Sequence, residues 1–181
     1  METRSIVYVA LFAALTGALA LFPPITIPAI GVPVTAQTLG VMLAGGILGR
    51  NRGALSMMLF LVLVGLGLPL LAGGRGGIGV FASPSAGFLF GWIGGAFITG
   101  WLIERSWTRL GFTRAVLATT VGGIVVVYAF GIPWLSLTAG MPLWSATVAA
   151  GIFVPGDLVK AVVASAVILG VRRSYPLIVA R

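Results

Sequence analysis

The chain has 181 residues, is 59% hydrophobic, and carries only eleven Lys or Arg and three Asp or Glu side chains. At 8% charged residues, against about 25% in a soluble domain, it cannot cover a water-facing surface. Its net charge of +8 does not make it a nucleic-acid binder, because the arginines stand singly between apolar runs and form no stripe. Cysteine and histidine are both absent, which removes disulfides, the commonest general base and the commonest metal ligand.

Long charge-free runs identify the solvent as lipid. Ser5–Gly49 has 45 residues without a charge, Gly53–Gly74 has 22, Gly76–Ile103 has 28 and Ala115–Gly156 has 42. About 20 apolar residues cross a bilayer core as a helix, and lipid leaves backbone groups no partner outside the protein. The expected architecture is therefore all-α: a bundle of six transmembrane helices forming one membrane domain over residues 1–181.

The first span covers about Ile6 to Phe22 and ends at Pro23-Pro24, with Pro28, Gly31 and Pro33 holding the following segment extended. Arg4 ahead of an apolar run ending in Ala18-Leu19-Ala20 resembles a secretory leader, but the segment is expected to be retained as a helix. Its Ala10, Ala14 and Ala18 recur at four-residue spacing, beside a row of Ala13 and Gly17. Such small-residue rows permit close helix contact, either with a partner protein or within the bundle. The second span runs from about Thr35 to Leu48, and Gly49–Gly53 forms a polar turn into the third, about Ala54 to Leu71. A glycine-rich loop, Gly73-Gly74-Arg75-Gly76-Gly77, precedes the fourth span, about Ala86 to Ile103. Glu104 to Arg114 is a charged connection, the fifth span takes about Ala115 to Ile132, and Pro133 to Pro142 is a loop. The sixth, Ala146 to Val171, is expected to break at Pro155-Gly156.

Six spans from a cytoplasmic start leave Arg4, Arg50, Arg52, Arg105, Arg109, Arg114, Arg172, Arg173 and Arg181 inside, and Arg75 alone outside. That is a clean positive-inside partition, with both termini cytoplasmic. Trp101 and Trp107 then fall near the inner boundary, and Trp134 and Trp144 near the outer one.

Two charges do not fit topology. Lys160 stands 12 residues before Arg172, which places it roughly 18 Å above the inner boundary, and Asp157 lies one turn higher. Their i,i+3 spacing puts them on one helix face. Intramembrane charges mark a functional cavity or else neutralise each other as a packing pair. A helix break before Asp157 would add backbone donors to the same space. Together these groups suit a small polar molecule with donors and acceptors close together. Arg75, between glycines that admit a close ligand approach, is either a binding residue or a solvated loop charge. Gln37, near a helix start, is a weaker candidate. Asp157 has no second acid nearby and Glu104 is cytoplasmic, so no catalytic residue, metal site or cofactor is expected.

Several stretches carry a family resemblance: Pro33-Val34-Thr35-Ala36-Gln37-Thr38-Leu39-Gly40, Leu43-Ala44-Gly45, Gly53-Ala54-Leu55-Ser56, and Gly65-Leu66-Gly67-Leu68-Pro69. The most specific are Ala72-Gly73-Gly74-Arg75-Gly76-Gly77-Ile78-Gly79 and Pro155-Gly156-Asp157-Leu158-Val159-Lys160-Ala161. In these the chain resembles the BioY family, biotin-specific substrate-capture (S) subunits of energy-coupling-factor transporters. It departs where the family usually has Gly-Pro-Thr-Gly-Gly-Tyr: here Ala82-Ser83-Pro84-Ser85-Ala86-Gly87-Phe88 stands, and Phe88 lacks that tyrosine's hydroxyl. The resemblance implies capture of biotin from outside, with Asp157 and Lys160 on the ureido head. Gln37, Gly74, Arg75 and Phe88 would complete the site, and the loop after the first span would act as a lid. It also implies a membrane scaffold (T) subunit and separate ATP-binding-cassette ATPases, with Ala10, Ala14 and Ala18 as the docking row, in the cell membrane. A proton- or ion-coupled carrier using Asp157, and an S subunit for another vitamin, are the alternative readings.

Overall fold

The computed structural model describes residues 3–26 and 32–178. Among the described residues eight α-helices form the bundle, and four helical segments, Thr3–Leu21, Ala86–Arg105, Phe112–Ala139 and Val154–Ser174, are long and apolar enough to cross a membrane. Helix α1 is Thr3–Ala18, prolonged by a 3-10 turn at Leu19–Leu21. A two-residue strand, Ile25–Thr26 (β1), pairs antiparallel with Pro33–Val34 (β2). Pro28, Gly31 and Arg181 lie outside the described residues.

Helices α2 (Gln37–Leu48) and α3 (Arg50–Gly65) are joined by Gly49 alone. Its φ of +85° is a left-handed value that glycine tolerates, so the expected five-residue turn collapses to one residue. The third span correspondingly starts four residues early and stops at Gly65 instead of Leu71. Gly67, at φ +104°, and Pro69 end it.

Helix α4 is Ala86–Arg105. Helices α5 (Phe112–Thr120) and α6 (Val127–Ala139) are one continuous rod through a π-helical stretch, Val121–Val126. That rod carries Pro133 inside it, so the loop expected at Pro133–Pro142 shrinks to Gly140–Pro142. Its 28 residues reach about 42 Å, enough to cross the bilayer with a tilt. The sixth span is divided as expected, into α7 (Leu143–Gly151) and α8 (Val154–Ser174), but the break falls at Ile152-Phe153. Pro155 sits in the first turn of α8, where its missing N–H leaves no bond unmade.

The bundle is held together along a seam that the sequence reading did not single out. Gly87, Gly91 and Gly95 repeat every four residues on α4 and lie against α6 and the π-helical stretch. A Cβ on them would sit 2.7 Å from the Phe130 carbonyl oxygen, 2.8 Å from that of Val127 and 2.7 Å from that of Gly122. From the other side, a Cβ on Gly122 would collide with Thr99 Oγ1. This is backbone-on-backbone packing of the kind that small-xxx-small rows allow in lipid, where apolar burial against tails supplies no drive.

The cationic residues gather at one end. Arg172 donates to the carbonyls of Leu110 and Trp107, both at 2.7 Å, and lies over the Trp107 ring. Arg50 pairs with Glu104 at 3.4 Å, Arg52 donates to the Leu177 carbonyl, and Arg4 bonds the Tyr175 hydroxyl. Arg75 is at the other end, beside Ser85. The partition that the positive-inside rule requires is thus built into the packing.

Candidate functional site

At the end away from the arginine cluster the helices surround a cavity of ≈ 550 Å³, its open mouth included. Val32 reaches it from beside β2, and Thr35, Gln37 and Thr38 from the start of α2. Leu71, Arg75 and Ser85 come from the α3–α4 loop, Phe88, Leu89 and Trp92 from α4, and Val127 and Tyr128 from α6. Phe153 stands in the α7–α8 break, with Asp157 and Lys160 one and two turns along α8. The walls are mostly apolar and the polar groups converge on one corner.

That corner is organised around Asp157, only 4% exposed. Its position in the first turn of α8 places a negative charge at the positive end of a helix dipole. Oδ1 accepts from Thr38 Oγ1 at 2.9 Å and from Lys160 Nζ at 2.8 Å, and Oδ2 accepts from the Tyr128 hydroxyl at 2.7 Å. Three of about four acceptor positions are used, and the remaining one is on Oδ2. Lys160 Nζ also donates to the Thr35 carbonyl at 2.5 Å and to Thr38 Oγ1 at 3.1 Å, so all three of its donors are engaged. One ammonium therefore ties α8 to the segment between β2 and α2.

Gln37 is 1% exposed, and both of its amide N–H donors are engaged. Nε2 donates to the carbonyls of Thr16 and Leu70, and Oε1 accepts from the Ala72 N–H at 2.9 Å. It lines the cavity and clamps α1 and the glycine loop to α2. Arg75 is half-buried on that loop, with Nε toward the Ala72 carbonyl and Nη1 3.4 Å from Ser85 Oγ. Partial burial lowers its pKa from the ordinary arginine value, yet a guanidinium stays charged. Gly74, at φ +69°, is exposed and does not line the cavity; it shapes the turn that carries Arg75. Phe88 does line it, in edge-to-face contact with Tyr128 and Phe153 at 5.8 and 6.3 Å between ring centroids.

Ala10, Ala14 and Ala18 are all exposed on α1, whereas Ala13 is buried. The two rows noticed in the sequence thus separate: one packs the bundle and the other faces outward. Sequence reading missed Thr35, Thr38, Ser85, Trp92, Tyr128 and Phe153. The available signal was Thr38 and Tyr128 as polar groups within apolar runs, and the position of the α7–α8 break would have supplied Phe153.

A family model described as "BioY family" matches residues 1–177. A protein named "Biotin transporter BioY" from Rhizobium etli is 52% identical, with 100% of both chains covered. Another of that name, from Rhodobacter capsulatus, is 48% identical over 88% of each chain. Among solved structures, the S-component for biotin from an ECF-type ABC transporter superposes with a TM-score of 0.90 at 31% identity, covering 95% of this chain and 92% of that one.

Proposed function

The chain belongs to the BioY family, and from that premise we propose that it is the membrane-embedded biotin-binding S subunit of an energy-coupling-factor transporter. It is a multi-pass membrane transporter component and not an enzyme. It captures biotin at the outer end of the bundle for import across the cell membrane.

The observation that carries this reading is the Asp157–Lys160 pair at 2.8 Å, held between Thr38, Tyr128 and the Thr35 carbonyl inside an otherwise apolar cavity. A ureido ring presents two N–H donors and one carbonyl within a few atoms. The open acceptor position on Asp157 Oδ2 suits a ureido N–H. Lys160 can turn one donor from Thr35 or Thr38 to the ureido carbonyl, exchanging one hydrogen bond for another at little net cost. Phe88, Leu89, Val127 and Phe153 offer apolar surface to the thiophane ring and valerate chain. Arg75 and Ser85, on the loop at the outer end, provide the donors for the carboxylate. The β1–β2 hairpin and the Thr35 segment close the entrance as a lid, and Lys160 connects that lid to the head-group corner.

Import needs energy that this chain does not supply. It contains no Gly-x-x-x-x-Gly-Lys-Ser/Thr loop to cradle nucleotide phosphates. Separate ATP-binding-cassette ATPases act through a membrane scaffold (T) subunit, and the outward row of Ala10, Ala14 and Ala18 is the docking face. Purified protein should bind biotin in calorimetry and ignore other water-soluble vitamins. Equal or better binding of another vitamin would reject biotin as the substrate.

A further inference from the structure

Among the described residues, two buried side-chain polar atoms have no hydrogen-bond partner: Trp92 Nε1 and Thr99 Oγ1. They are not equivalent. A threonine on a helix can turn its hydroxyl to the carbonyl one turn earlier, and here Thr99 and the Gly95 carbonyl both lie against Gly122. An indole N–H is a donor only, its direction is fixed by the ring, and when buried it usually finds an acceptor. Trp92 is 4% exposed, and the neighbouring Phe60 ring, 5.8 Å away and tilted by 42°, offers at most a weak π contact.

Trp92 belongs to the cavity wall. Every other ionisable or hydroxyl-bearing side chain named at the head-group corner already has a partner. Trp92 follows Ser85 by seven residues on α4, about 10 Å deeper along the helix axis than the loop that carries Arg75. It therefore stands deeper in the cavity wall than Arg75 and Ser85. We propose that the Trp92 indole N–H is a ligand-binding donor that takes the second lone pair of the ureido carbonyl, with Lys160 on the first. The inference rests on biotin being the ligand. A carboxylate is served at the mouth by Arg75 and Ser85, and a thioether sulfur is too weak an acceptor to offset a buried donor. The ureido carbonyl, with two lone pairs, can accept from both a lysine and an indole.

The test compares wild type with Trp92→Phe and with benzothienylalanine at position 92, which keeps the bicyclic shape and replaces the N–H by sulfur. Biotin and desthiobiotin, which lacks the ring sulfur but keeps the ureido group, are titrated into each protein in detergent. Thermal unfolding is measured without ligand. One lost hydrogen bond corresponds to about a tenfold rise in Kd. The expected result is that rise for both ligands in both variants, with the ligand-free unfolding temperature of the isosteric variant unchanged. Wild-type affinity in the isosteric variant would overturn the proposal, including the case where Trp92→Phe fails to fold. A rise for biotin that vanishes for desthiobiotin would overturn the carbonyl as acceptor and assign the sulfur. Absence of biotin binding by the wild type would instead reject biotin as the ligand.

Discussion

Replacing Asp157 by Asn removes one negative charge and leaves the shape of the side chain almost unchanged. In the wild type the carboxylate accepts from Thr38, Lys160 and Tyr128, at 2.9, 2.8 and 2.7 Å. An amide offers one oxygen and an NH₂ group, so with the oxygen kept toward Thr38 and Lys160 the Tyr128 hydroxyl has to turn and accept from the NH₂ group. The ammonium of Lys160, 18% exposed in its side chain, loses its counter-charge in a low-dielectric setting. Stranding one member of a buried pair costs about 3–5 kcal/mol of stability. The ligand loses a charge-assisted acceptor worth about 1.5–3 kcal/mol, so biotin affinity should fall by roughly 10- to 100-fold. Calorimetric titration in detergent reads the affinity, and thermal unfolding reads the stability. The double variant Asp157→Asn/Lys160→Met is the control. With no ammonium left to strand, it should recover much of the stability while remaining unable to bind tightly. If Asp157→Asn binds biotin as the wild type does, the head-group site lies elsewhere. If the double variant falls below the wild type by the sum of the losses of Asp157→Asn and Lys160→Met alone, the pair is not coupled as its geometry states.

Gln37→Leu should lower stability by about 1–3 kcal/mol, because the buried Ala72 N–H loses its acceptor. Unchanged unfolding with weakened biotin binding would make Gln37 a ligand contact and not a brace. Ala14→Trp should leave biotin binding intact and abolish copurification of the scaffold and ATPase subunits together with ATP-dependent uptake; unchanged uptake would reject that face. Single cysteines at Asn51 and Gly111 should react only with reagents that enter the cytoplasm, and one at Gly77 should react from outside. Labelling of Gly111 from outside intact cells would reverse the assigned orientation.

Most of the fold was readable because lipid makes composition nearly decisive. Arginines could be assigned to one side before any coordinate, and the structure joins Arg4, Arg52 and Arg172 to the same end through Tyr175, Leu177 and Trp107. The helix ends were less readable, because proline has two meanings. Pro133 was read as a terminus but lies inside α6, while Pro155 was read as a break but begins a helix whose break is two residues earlier. Local sequence cannot choose between these, since neighbouring helices decide whether a freed carbonyl is tolerated. The chemistry of Asp157 and Lys160 was legible from depth alone. Their partners Thr38 and Tyr128 stand 119 and 29 residues from Asp157, and only tertiary packing brings them together. The Gly87-Gly91-Gly95 row had the same spacing as the alanines of α1 and passed unnoticed among 27 glycines.

That glycine row divides the cavity mechanically. The wall bearing Phe88 and Trp92 is seated directly on the backbone of the wall bearing Tyr128. A single methyl at Gly91 or Gly95 would overlap a main-chain oxygen that has nowhere to go. Those two walls are locked backbone to backbone. On the opposite side, the pairing of β1 with β2 and the Lys160 contact to the Thr35 carbonyl hold the Thr35 segment in place. The two sides of the cavity should therefore tolerate substitution differently. Mutations that enlarge the range of accepted ligands should accumulate around Thr35, while the glycine-packed walls resist them.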